Sequence, residues 1–275
     1  MSVENPPQIG KCLAAGERTR VGCVDLIVPV YKCAELARRC IDSILANISE
    51  IAAYSPRLIV INDSPGDPAV EELLQDIAAK HSGVVLLENP VNTGFVGAAN
   101  RGLDIACTSG SDALLINADT ETFPDTLRNL RDAAYSEPQV GFASPRSNNA
   151  SLCSLPHPGG GPAADPPEAY RRWKVLSRTM PATHVVPTGV GFYLYIRHAM
   201  LANFGYLDGN FGIGYEEEND LIMRANKAGY RTVLANHAFA YHVGSASFLQ
   251  RAADLSGHRE ANYACLLYTS PSPRD

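Results

Sequence analysis

The first half of the chain alternates between two patterns of apolar residues. Short, largely β-branched runs predict buried strands at residues 24–31, 57–63, 83–89 and 112–119. After each of these runs, apolar residues recur at helical spacing and predict helices at residues 34–48, 68–81, 95–109 and 123–136. Because strands that alternate with helices form βαβ units, the sequence predicts an α/β fold with a mostly parallel sheet covered by helices on both faces.

The alternation breaks after about Val140. Residues 144–170 are dense in Pro, Gly, Ser and Asn and predict a long loop, of the kind that often serves as a lid or binding loop. Residues 184–205 then predict a strand, a glycine-rich turn, a second strand and a short helix. A helix over 215–229 ends at a glycine, and residues 230–244 predict a last strand pair, or a strand and a turn.

The two ends of the chain differ from the rest. Residues 1–20 are polar and aperiodic, which predicts a flexible leader. Residues 266–275 change composition abruptly, and we interpret them as a non-native tail that replaces a natural continuation. The expected folded domain therefore covers residues 21–265.

Composition excludes several classes of protein. The 275 residues carry a formal charge of −6 and no basic stripe, which argues against nucleic-acid binding. The seven cysteines include no C-x-x-C pair and read as reduced thiols in the cytoplasm. No signal peptide or window of membrane-spanning length is evident, although peripheral membrane contact stays open.

Polar residues follow two of the predicted strands directly. Asp63 ends the second strand, and Asn117 and Asp119 end the fourth. In parallel sheets ligands bind beyond the carboxyl ends of the strands, so these groups should meet at one edge. Asp119 and the late His242 make a plausible pair of ligands for Mg²⁺ or Mn²⁺. Taken singly, each is more typical of a turn cap or a structural histidine.

Two further segments are rich in candidate chemistry. The stretch "NTGFVGAANRG", residues 92–102, has small residues that let the backbone approach a ligand, but a tightly packed helix start is equally consistent. The acids Glu216, Glu217, Glu218 and Asp220 crowd one helix start. They suit an exposed, well-capped helix, but an inward carboxylate there would have a raised pKa and could act as a general base.

Five motifs, taken in order and spacing, resemble a family 2 glycosyltransferase of the GT-A fold. They cover about residues 23–248 and read "VDLIVPVY", "VIND", "NTGFVGAANRGL", "LLINADT" and "GYEEENDLIMRANKAGYRTVLANHAFAYHVGSASF". The resemblance implies one Rossmann-like domain, with a nucleotide-binding half at about 21–143 and an acceptor-side half at about 144–265. It implies transfer of a sugar, with inversion, from a UDP, dTDP or GDP sugar to an acceptor hydroxyl, with Mn²⁺ or Mg²⁺ as cofactor. Rhamnosyltransferase-like bacterial relatives suggest a glycan or lipid-linked acceptor in cell-surface polysaccharide synthesis.

The resemblance also implies residue roles. It assigns the metal to Asp119 and His242 and the acceptor side to Gly189, Gly191 and Asp220. It assigns the catalytic base to Glu218, with Glu217 as the alternative. It implies that "SPRSNNA", residues 144–150, covers the cleft. The implied donor-binding residues are Pro29, Tyr31, Asp63, Asn92, Gly94, Asn100, Asn117 and Asp119.

The sequence departs from the family pattern at two places. Asn117 stands at the first position of the D-x-D element, and Glu217-Glu218 replaces its E-D pair. These departures leave open a second hypothesis, a non-catalytic or degenerate relative that binds a sugar nucleotide. A sugar-phosphate nucleotidylyltransferase fits less well, because the first strand is followed by Lys32 alone rather than by a basic, glycine-rich loop.

Overall fold

The computed structural model describes residues 22–156, 164–212, 214 and 216–244. Its strands are β1 (Val24–Val30), β2 (Arg57–Asn62), β3 (Val84–Glu88), β4 (Asp112–Ile116), β5 (Thr120–Thr122), β6 (Val140–Arg146), β7 (Thr183–Val186), β8 (Tyr193–Ile196) and β9 (Arg231–His242). Its α-helices are α1 (Ala34–Asn47), α2 (Pro68–Lys80), α3 (Gly94–Ser109), α4 (Thr126–Ala134), α5 (Pro166–Ser177), α6 (His198–Phe204) and α7 (Glu217–Lys227). Short 3₁₀ helices occupy Ile48–Tyr54, Ser151–Cys153 and Gly209–Phe211.

The first half of the chain forms a parallel sheet in the order β3-β2-β1-β4. Leu26 of β1 lies opposite Leu58 on one side and Leu114 on the other. The chain steps outward from β1 to β2 and β3, then returns to place β4 on the opposite side of β1. This reversal is a topological switch point, where ligands bind in open α/β sheets.

The second half extends the sheet with strands of mixed direction. β8 runs antiparallel to β4 and β6, while β6 runs parallel to β9. The twelve-residue β9 also pairs antiparallel with β5 and β7. The predicted α/β fold with helices on both faces of a mostly parallel sheet is confirmed.

The core lies on both faces of this sheet because side chains alternate along each buried strand. On β1, Leu26 and Val28 pack on the face covered by α1, α2 and α4. Ile27 points to the other face, which is covered by α3, α6 and α7. A Cβ at Gly102 would lie 2.4 Å from Cγ2 of Ile27, so α3 approaches β1 more closely than a larger residue would permit.

The prediction of a long loop over residues 144–170 is wrong at both ends of that range. β6 continues to Arg146, and α5 begins at Pro166. The helix starts there because Asp165 caps it, accepting a hydrogen bond of 2.8 Å from the N–H of Glu168. Trp173 anchors α5 on β9 through a bond of 3.2 Å from its indole N–H to the carbonyl of Asn236. Residues 230–244, predicted as a strand pair or a strand and turn, form the single strand β9 and a short extension.

Other predictions have different outcomes. The leader at 1–20 and the tail at 266–275 lie outside the described residues. The halves at 21–143 and 144–265 stay a prediction, since one sheet runs through both. Within the described chain no helix combines the length and apolar character needed to cross a bilayer. No disulfide joins the cysteines in this described part of the chain.

Candidate active site

A cavity of about 500 Å³ opens at the carboxyl ends of β1, β2 and β4, beside the switch point. All the predicted site residues except Asn100 and Asp220 line it. They are Pro29, Tyr31, Asp63, Asn92, Gly94, Asn117, Asp119, Gly189, Gly191, Glu217, Glu218 and His242. Asp63, Asn117 and Asp119 therefore meet at one edge of the sheet, as the strand-end argument predicts.

Asp119 and His242 face each other on one side of the cavity. The pairing of β5 with β9 places Thr120 opposite His242, and the N–H of Val243 donates to the carbonyl of Asp119 at 3.0 Å. Nε2 of His242 lies 3.4 Å from Oδ1 of Asp119. The ring also stacks on Phe192, with centroids 4.8 Å apart. Sheet pairing and stacking together fix this pair.

The hydrogen bond made by the second ring nitrogen of His242 determines which of the two nitrogens carries the hydrogen. Nδ1 lies 2.7 Å from the backbone carbonyl of Asn149, which can only accept a hydrogen bond. Nδ1 therefore carries a hydrogen, and in the neutral ring the lone pair of Nε2 faces the carboxylate of Asp119. The lone pair of Nε2 and the carboxylate of Asp119 are both electron-rich, so a cation fits between or beside them.

The residues present fit a divalent metal ion with a sparse protein shell. A carboxylate with an imidazole suits Mn²⁺ better than Mg²⁺. Oδ1 of Asn117, which lines the same cavity, is buried and accepts no hydrogen bond from the described residues. No group of three or more His, Cys, Asp or Glu side chains with metal-site geometry occurs in the described part of the chain. The shell would therefore need oxygen atoms from a ligand and from water, as is common for ions that bind phosphates.

Hydrogen bonds with neighbouring residues fix the backbone of the turn at Asn117–Asp119. The hydroxyl of Thr120 donates to the carbonyl of Asn117 at 2.9 Å, and the N–H of Asn117 donates to Phe192 at 2.8 Å. The thiol of Cys40 lies 3.5 Å from the same Asn117 carbonyl. Burial raises the pKa of the Cys40 thiol to about 12, so it stays protonated and serves as a donor.

The opposite side of the cavity is the N-terminus of α7. Glu216 precedes this helix in a left-handed conformation, φ 73°, which costs roughly 1 kcal/mol or more outside glycine. Nδ2 of Asn219 donates to the Glu216 carboxylate at 2.7 Å, and the hydroxyl of Thr188 bonds Asn219. These contacts hold the turn that places Glu217 and Glu218 at the cavity.

Glu217 and Glu218 form a pair of incompletely bonded acids. Oε1 of Glu218 accepts a hydrogen bond of 3.2 Å from the N–H of Gly191. Oε2 of each carboxyl group is buried and has no hydrogen-bond partner among the described residues. Buried oxygen atoms of this kind are expected to meet a ligand or a water molecule, or to carry a proton.

Burial raises the pKa of both carboxyl groups. The pKa of Glu217 lies well above its usual range, first because of burial and then because of the charge of Glu218. The pKa of Glu218 is also raised by burial, but backbone N–H groups, including that of Gly191, oppose the rise. Glu218 is therefore the easier of the two to ionise, and Glu217 the one that retains a proton.

Asp63 lies in the cavity wall, but most of its hydrogen-bonding capacity is used by the protein. Its Oδ1 accepts from Nδ2 of Asn89 at 2.7 Å and from the N–H and hydroxyl of Thr93 at 2.8 and 2.9 Å. Its Oδ2 accepts from Nδ2 of Asn92 at 2.9 Å. A carboxylate offers about four acceptor positions, so Asp63 fixes the loop before α3 and keeps little capacity for a ligand.

Asn100 and Asp220 lie away from the cavity wall. Both ends of the Asn100 amide bond the backbone of Leu207, at 2.8 and 3.0 Å. Asp220 accepts from Nε of Arg224 at 2.9 Å and forms an ion pair with that guanidinium. These placements do not support the predicted donor contact of Asn100 or the predicted acceptor-side role of Asp220.

Sequence reasoning did not single out Thr188 or Asn219, which also line the cavity, whereas Asn149 lies there within the segment 144–150 that was predicted to cover the cleft. Thr188 stands directly before the "GVG" turn, so its position next to a glycine-rich segment was a usable signal. Asn149 contacts His242 through its backbone carbonyl, which no residue-type pattern can reveal.

Residues 25–157 match the family model described as "Glycosyl transferase family 2". The matched region is a little under half of the chain. Over this region the match agrees with the predicted resemblance to family 2 glycosyltransferases. A comparison with curated protein sequences finds no match.

Three solved structures share the fold at low sequence identity. GalNAc-T7, crystallised with UDP, GalNAc and Mn²⁺, is 16% identical, with a TM-score of 0.63 over 81% of this chain and 44% of its own. The mannosyltransferase PcManGT from Pyrobaculum calidifontis, in complex with GDP-Man and Mn²⁺, is 18% identical, with a TM-score of 0.63 over 98% of this chain and 70% of its own. S. aureus TarS 1-349 is 14% identical, with a TM-score of 0.55 over 86% of this chain and 65% of its own. The chain thus has the GT-A fold and spans less than half the length of GalNAc-T7.

Proposed function

We propose that the protein is a metal-dependent, inverting glycosyltransferase that moves a sugar from a nucleotide-diphosphate sugar to an acceptor hydroxyl. The observation that supports this most directly is the pairing of two chemistries across one cavity. Asp119 and His242 lie on one side, and the incompletely bonded Glu218 lies on the other. A diphosphate leaving group and an attacking hydroxyl need these two environments at opposite ends of one reacting centre.

On the donor side, Asp119 and His242 would hold the ion, and Asn117 adds a neutral acceptor beside them. A bound divalent ion would neutralise charge on the leaving diphosphate. Asn117 carries no charge, so the protein contributes one carboxylate to this side rather than the two of a D-x-D element. The imidazole favours Mn²⁺, the ion present in the GalNAc-T7 and PcManGT structures.

On the acceptor side, Glu218 would take the proton from the attacking hydroxyl. The Gly191 N–H holds one of its oxygens and leaves the other directed for proton transfer. One base acting on one acceptor, across from the leaving group, favours a single displacement and hence inversion at the anomeric carbon. Glu217 would stay protonated beside it and lower the charge of the pair.

The proposed donor carries UDP, dTDP or GDP. UDP is bound in GalNAc-T7 and in a second TarS structure with a TM-score of 0.54, whereas PcManGT holds GDP-Man. We propose a glycan or lipid-linked acceptor in cell-surface polysaccharide synthesis, with a rhamnose-type or related hexose as the transferred sugar. This acceptor proposal rests on the sequence resemblance to bacterial relatives.

A thermal-shift experiment tests the donor side. UDP, dTDP and GDP are each added with and without Mn²⁺ to the wild type, to Asp119→Ala and to a control, Asp76→Ala, at an exposed ion pair with Lys80. A ligand at a hundred times its Kd stabilises the native state by about 2.7 kcal/mol. We expect one nucleotide to raise the melting temperature of the wild type and the control only with Mn²⁺, and Asp119→Ala to lose the response.

The same samples, with Glu218→Gln added, separate catalysis from binding. Release of nucleoside diphosphate from the matching donor sugar, dependent on Mn²⁺ and on Glu218, would identify an enzyme. A folded wild type that responds to none of the nucleotides would contradict the proposal. Binding without any turnover would instead favour the degenerate, non-catalytic relative.

A further inference from the structure

After β6 ends, the chain turns away from the sheet near His242. Two asparagines, Asn148 and Asn149, follow this turn. β6 and β9 pair in parallel as far as Arg146 and Phe239. Beyond that pair β9 continues to His242, but β6 ends and gives way to Ser147, Asn148 and Asn149. The last residues of β9 therefore lose their backbone neighbour on this side.

The side chain of Asn148 replaces the missing strand. Because the Val243 N–H bonds Asp119 on the β5 side, the alternation of a strand turns the N–H and carbonyl of His242 away from β5. Oδ1 of Asn148 accepts from the His242 N–H at 2.8 Å. Nδ2 of Asn148 donates to the His242 carbonyl at 3.0 Å. A carboxamide has the same donor and acceptor as a peptide group, so it continues the ladder for one residue.

Asn149 forms hydrogen bonds with the imidazole ring of His242 and with the backbone of the next residue, Val243. Its carbonyl accepts from Nδ1 of His242 at 2.7 Å, and its Nδ2 donates to the carbonyl of Val243 at 3.1 Å. A Cβ at Gly244 would lie 2.3 Å from this Nδ2, and Gly244 has φ 80°. Glycine is thus required for Asn149 to approach the end of β9.

The loop that carries both asparagines is itself tied down. The N–H of Ser147 donates to the carbonyl of Cys153 at 3.1 Å, and the N–H of Leu155 donates back to Ser147 at 2.9 Å. The N–H of Ala150 donates to the hydroxyl of Ser154 at 2.6 Å. Asn148 and Asn149 therefore belong to a loop whose backbone is fixed by hydrogen bonds, and not to an unpaired strand end.

We propose that Asn148 and Asn149, together the asparagine clasp, are positioning residues that fix the rotation and tautomer of the His242 imidazole so that Nε2 faces Asp119. The clasp acts through His242 rather than on a substrate. A hydrogen bond on one ring nitrogen determines which nitrogen can accept a cation, and such partners typically change metal affinity by roughly 10–100-fold. The link to metal affinity rests on the proposed function, whereas the orientation of the ring does not.

The first readout is spectroscopic and needs neither metal nor activity. Nitrogen-15 histidine NMR at about pH 8, where an unperturbed imidazole is neutral, distinguishes the Nδ1–H from the Nε2–H tautomer. The signal missing in His242→Gln identifies the ring among the seven histidines. We expect the wild type to show the Nδ1–H tautomer and Asn148→Ala to show a mixture, because the backbone of His242 loses both bonds to Asn148 and the ring can shift away from the Asn149 carbonyl.

The second readout is the affinity for Mn²⁺ in the presence of UDP, measured by electron paramagnetic resonance of the free ion. We expect Asn148→Ala to bind Mn²⁺ about 10-fold more weakly than the wild type. Asn129→Ala is a matched control, since Nδ2 of Asn129 also bonds the backbone of β9, at the carbonyl of His237 at 2.6 Å, away from the cavity. It should leave both readouts unchanged.

A second variant guards against misfolding. Asn148→Asp keeps the acceptor for the His242 N–H and loses the donor for its carbonyl, so it should give values between the wild type and Asn148→Ala. An Nε2–H tautomer in the wild type, or wild-type tautomer and Mn²⁺ affinity in a folded Asn148 variant, would overturn the inference. If the wild type shows no Mn²⁺ binding but its tautomer depends on Asn148, the proposed function fails and the orienting role of the clasp stands.

Discussion

Arg57 donates two hydrogen bonds to the carboxylate of Asp25 across the neighbouring strands β2 and β1. Nη2 lies 2.6 Å from Oδ2 and Nε lies 3.0 Å from Oδ1. Asp25 is fully buried, and the two residues are directly opposite in register. The pair lies at the start of β1, whereas the cavity lies beyond its end, so a charge is stabilised here without taking part in the proposed chemistry.

Arg57→Ala should destabilise the fold and spare the site. The substitution leaves a buried carboxylate without its guanidinium, a loss that typically costs about 3–5 kcal/mol. We expect the lower part of that range, because the Arg57 side chain is a quarter exposed and water can partly replace it. Urea unfolding measures the change. Lys80→Ala, which breaks an exposed ion pair with Asp76, should change the free energy of unfolding by no more than about 1 kcal/mol.

Glu218→Gln and Glu217→Gln should differ in rate rather than in donor binding. Loss of a general base lowers kcat by roughly 100- to 10,000-fold, so Glu218→Gln should show that loss with little change in the KM for the donor. Glu217→Gln should keep most of the rate, because burial and the neighbouring charge of Glu218 favour the protonated form of Glu217, which glutamine resembles. Steady-state transfer kinetics separate the two. A larger loss in Glu217→Gln would assign the base to Glu217 instead.

The raised pKa of Glu217 predicts a pH-dependent gain of stability in Glu217→Gln. In the unfolded chain this group ionises near about pH 4.3, whereas burial and the charge of Glu218 move its folded pKa upward. Between these two values the folded state holds more protons, so the free energy of unfolding falls as pH rises. The penalty is absent below the unfolded pKa and complete above the folded one. Glu217→Gln should therefore gain about 0.5–2 kcal/mol at pH 8 and nothing near pH 4.

The control for that measurement is the exposed Glu72 on α2. Glu72→Gln should shift the unfolding curve equally at both pH values. A Glu217→Gln gain that is the same at pH 4 and pH 8 would show that it comes from packing rather than from ionisation.

Gly191→Ala should disturb the base without touching the metal side. The new Cβ would lie 3.2 Å from Cδ of Glu218, so the carboxyl group must shift. A misplacement of about 1 Å can cost roughly 100-fold, so this smaller shift is expected to lower kcat by up to about 10-fold. Mn²⁺-dependent nucleotide binding should persist in the thermal-shift assay. Gly209→Ala, where a Cβ meets no atom of the described residues within 4 Å, is the control. Equal kinetics in the two variants would show that Glu218 tolerates the change.

The parallel half of the fold was predictable because its signals are local. Each strand is an apolar run, and each helix has an apolar stripe or a start signal, such as the Asp67 cap and Pro68 of α2. The strand ends follow directly, which is why Asp63, Asn117 and Asp119 could be placed at one edge. The Asp119–His242 pair was suggested by residue type alone, and its geometry could not be predicted, because the β5–β9 pairing that brings the two together joins residues distant in sequence.

The second half was less predictable for physical reasons. β6 is a fully buried strand, but it contains the polar residues Ser144 and Arg146. These two residues interrupt the apolar run by which a buried strand is recognised in a sequence. The proline-rich stretch suggested a loop, although Asp165 followed by prolines and Glu168 is also a helix start. Asn100 was assigned to the donor by family position, but its amide is occupied by Leu207. Such pairings depend on tertiary neighbours that the sequence does not display.

The pairing of Asp119 with His242 has a consequence for synthesis of the chain. β1 to β4 and the Asn117–Asp119 turn leave the ribosome well before β9, which is the last strand of the described residues. A nascent chain can therefore build the parallel half of the sheet and hold Asp119 in place while the histidine side is still unmade. The proposed metal-linked binding of a nucleotide should therefore appear late in synthesis, once β9 has paired with β5 and β6.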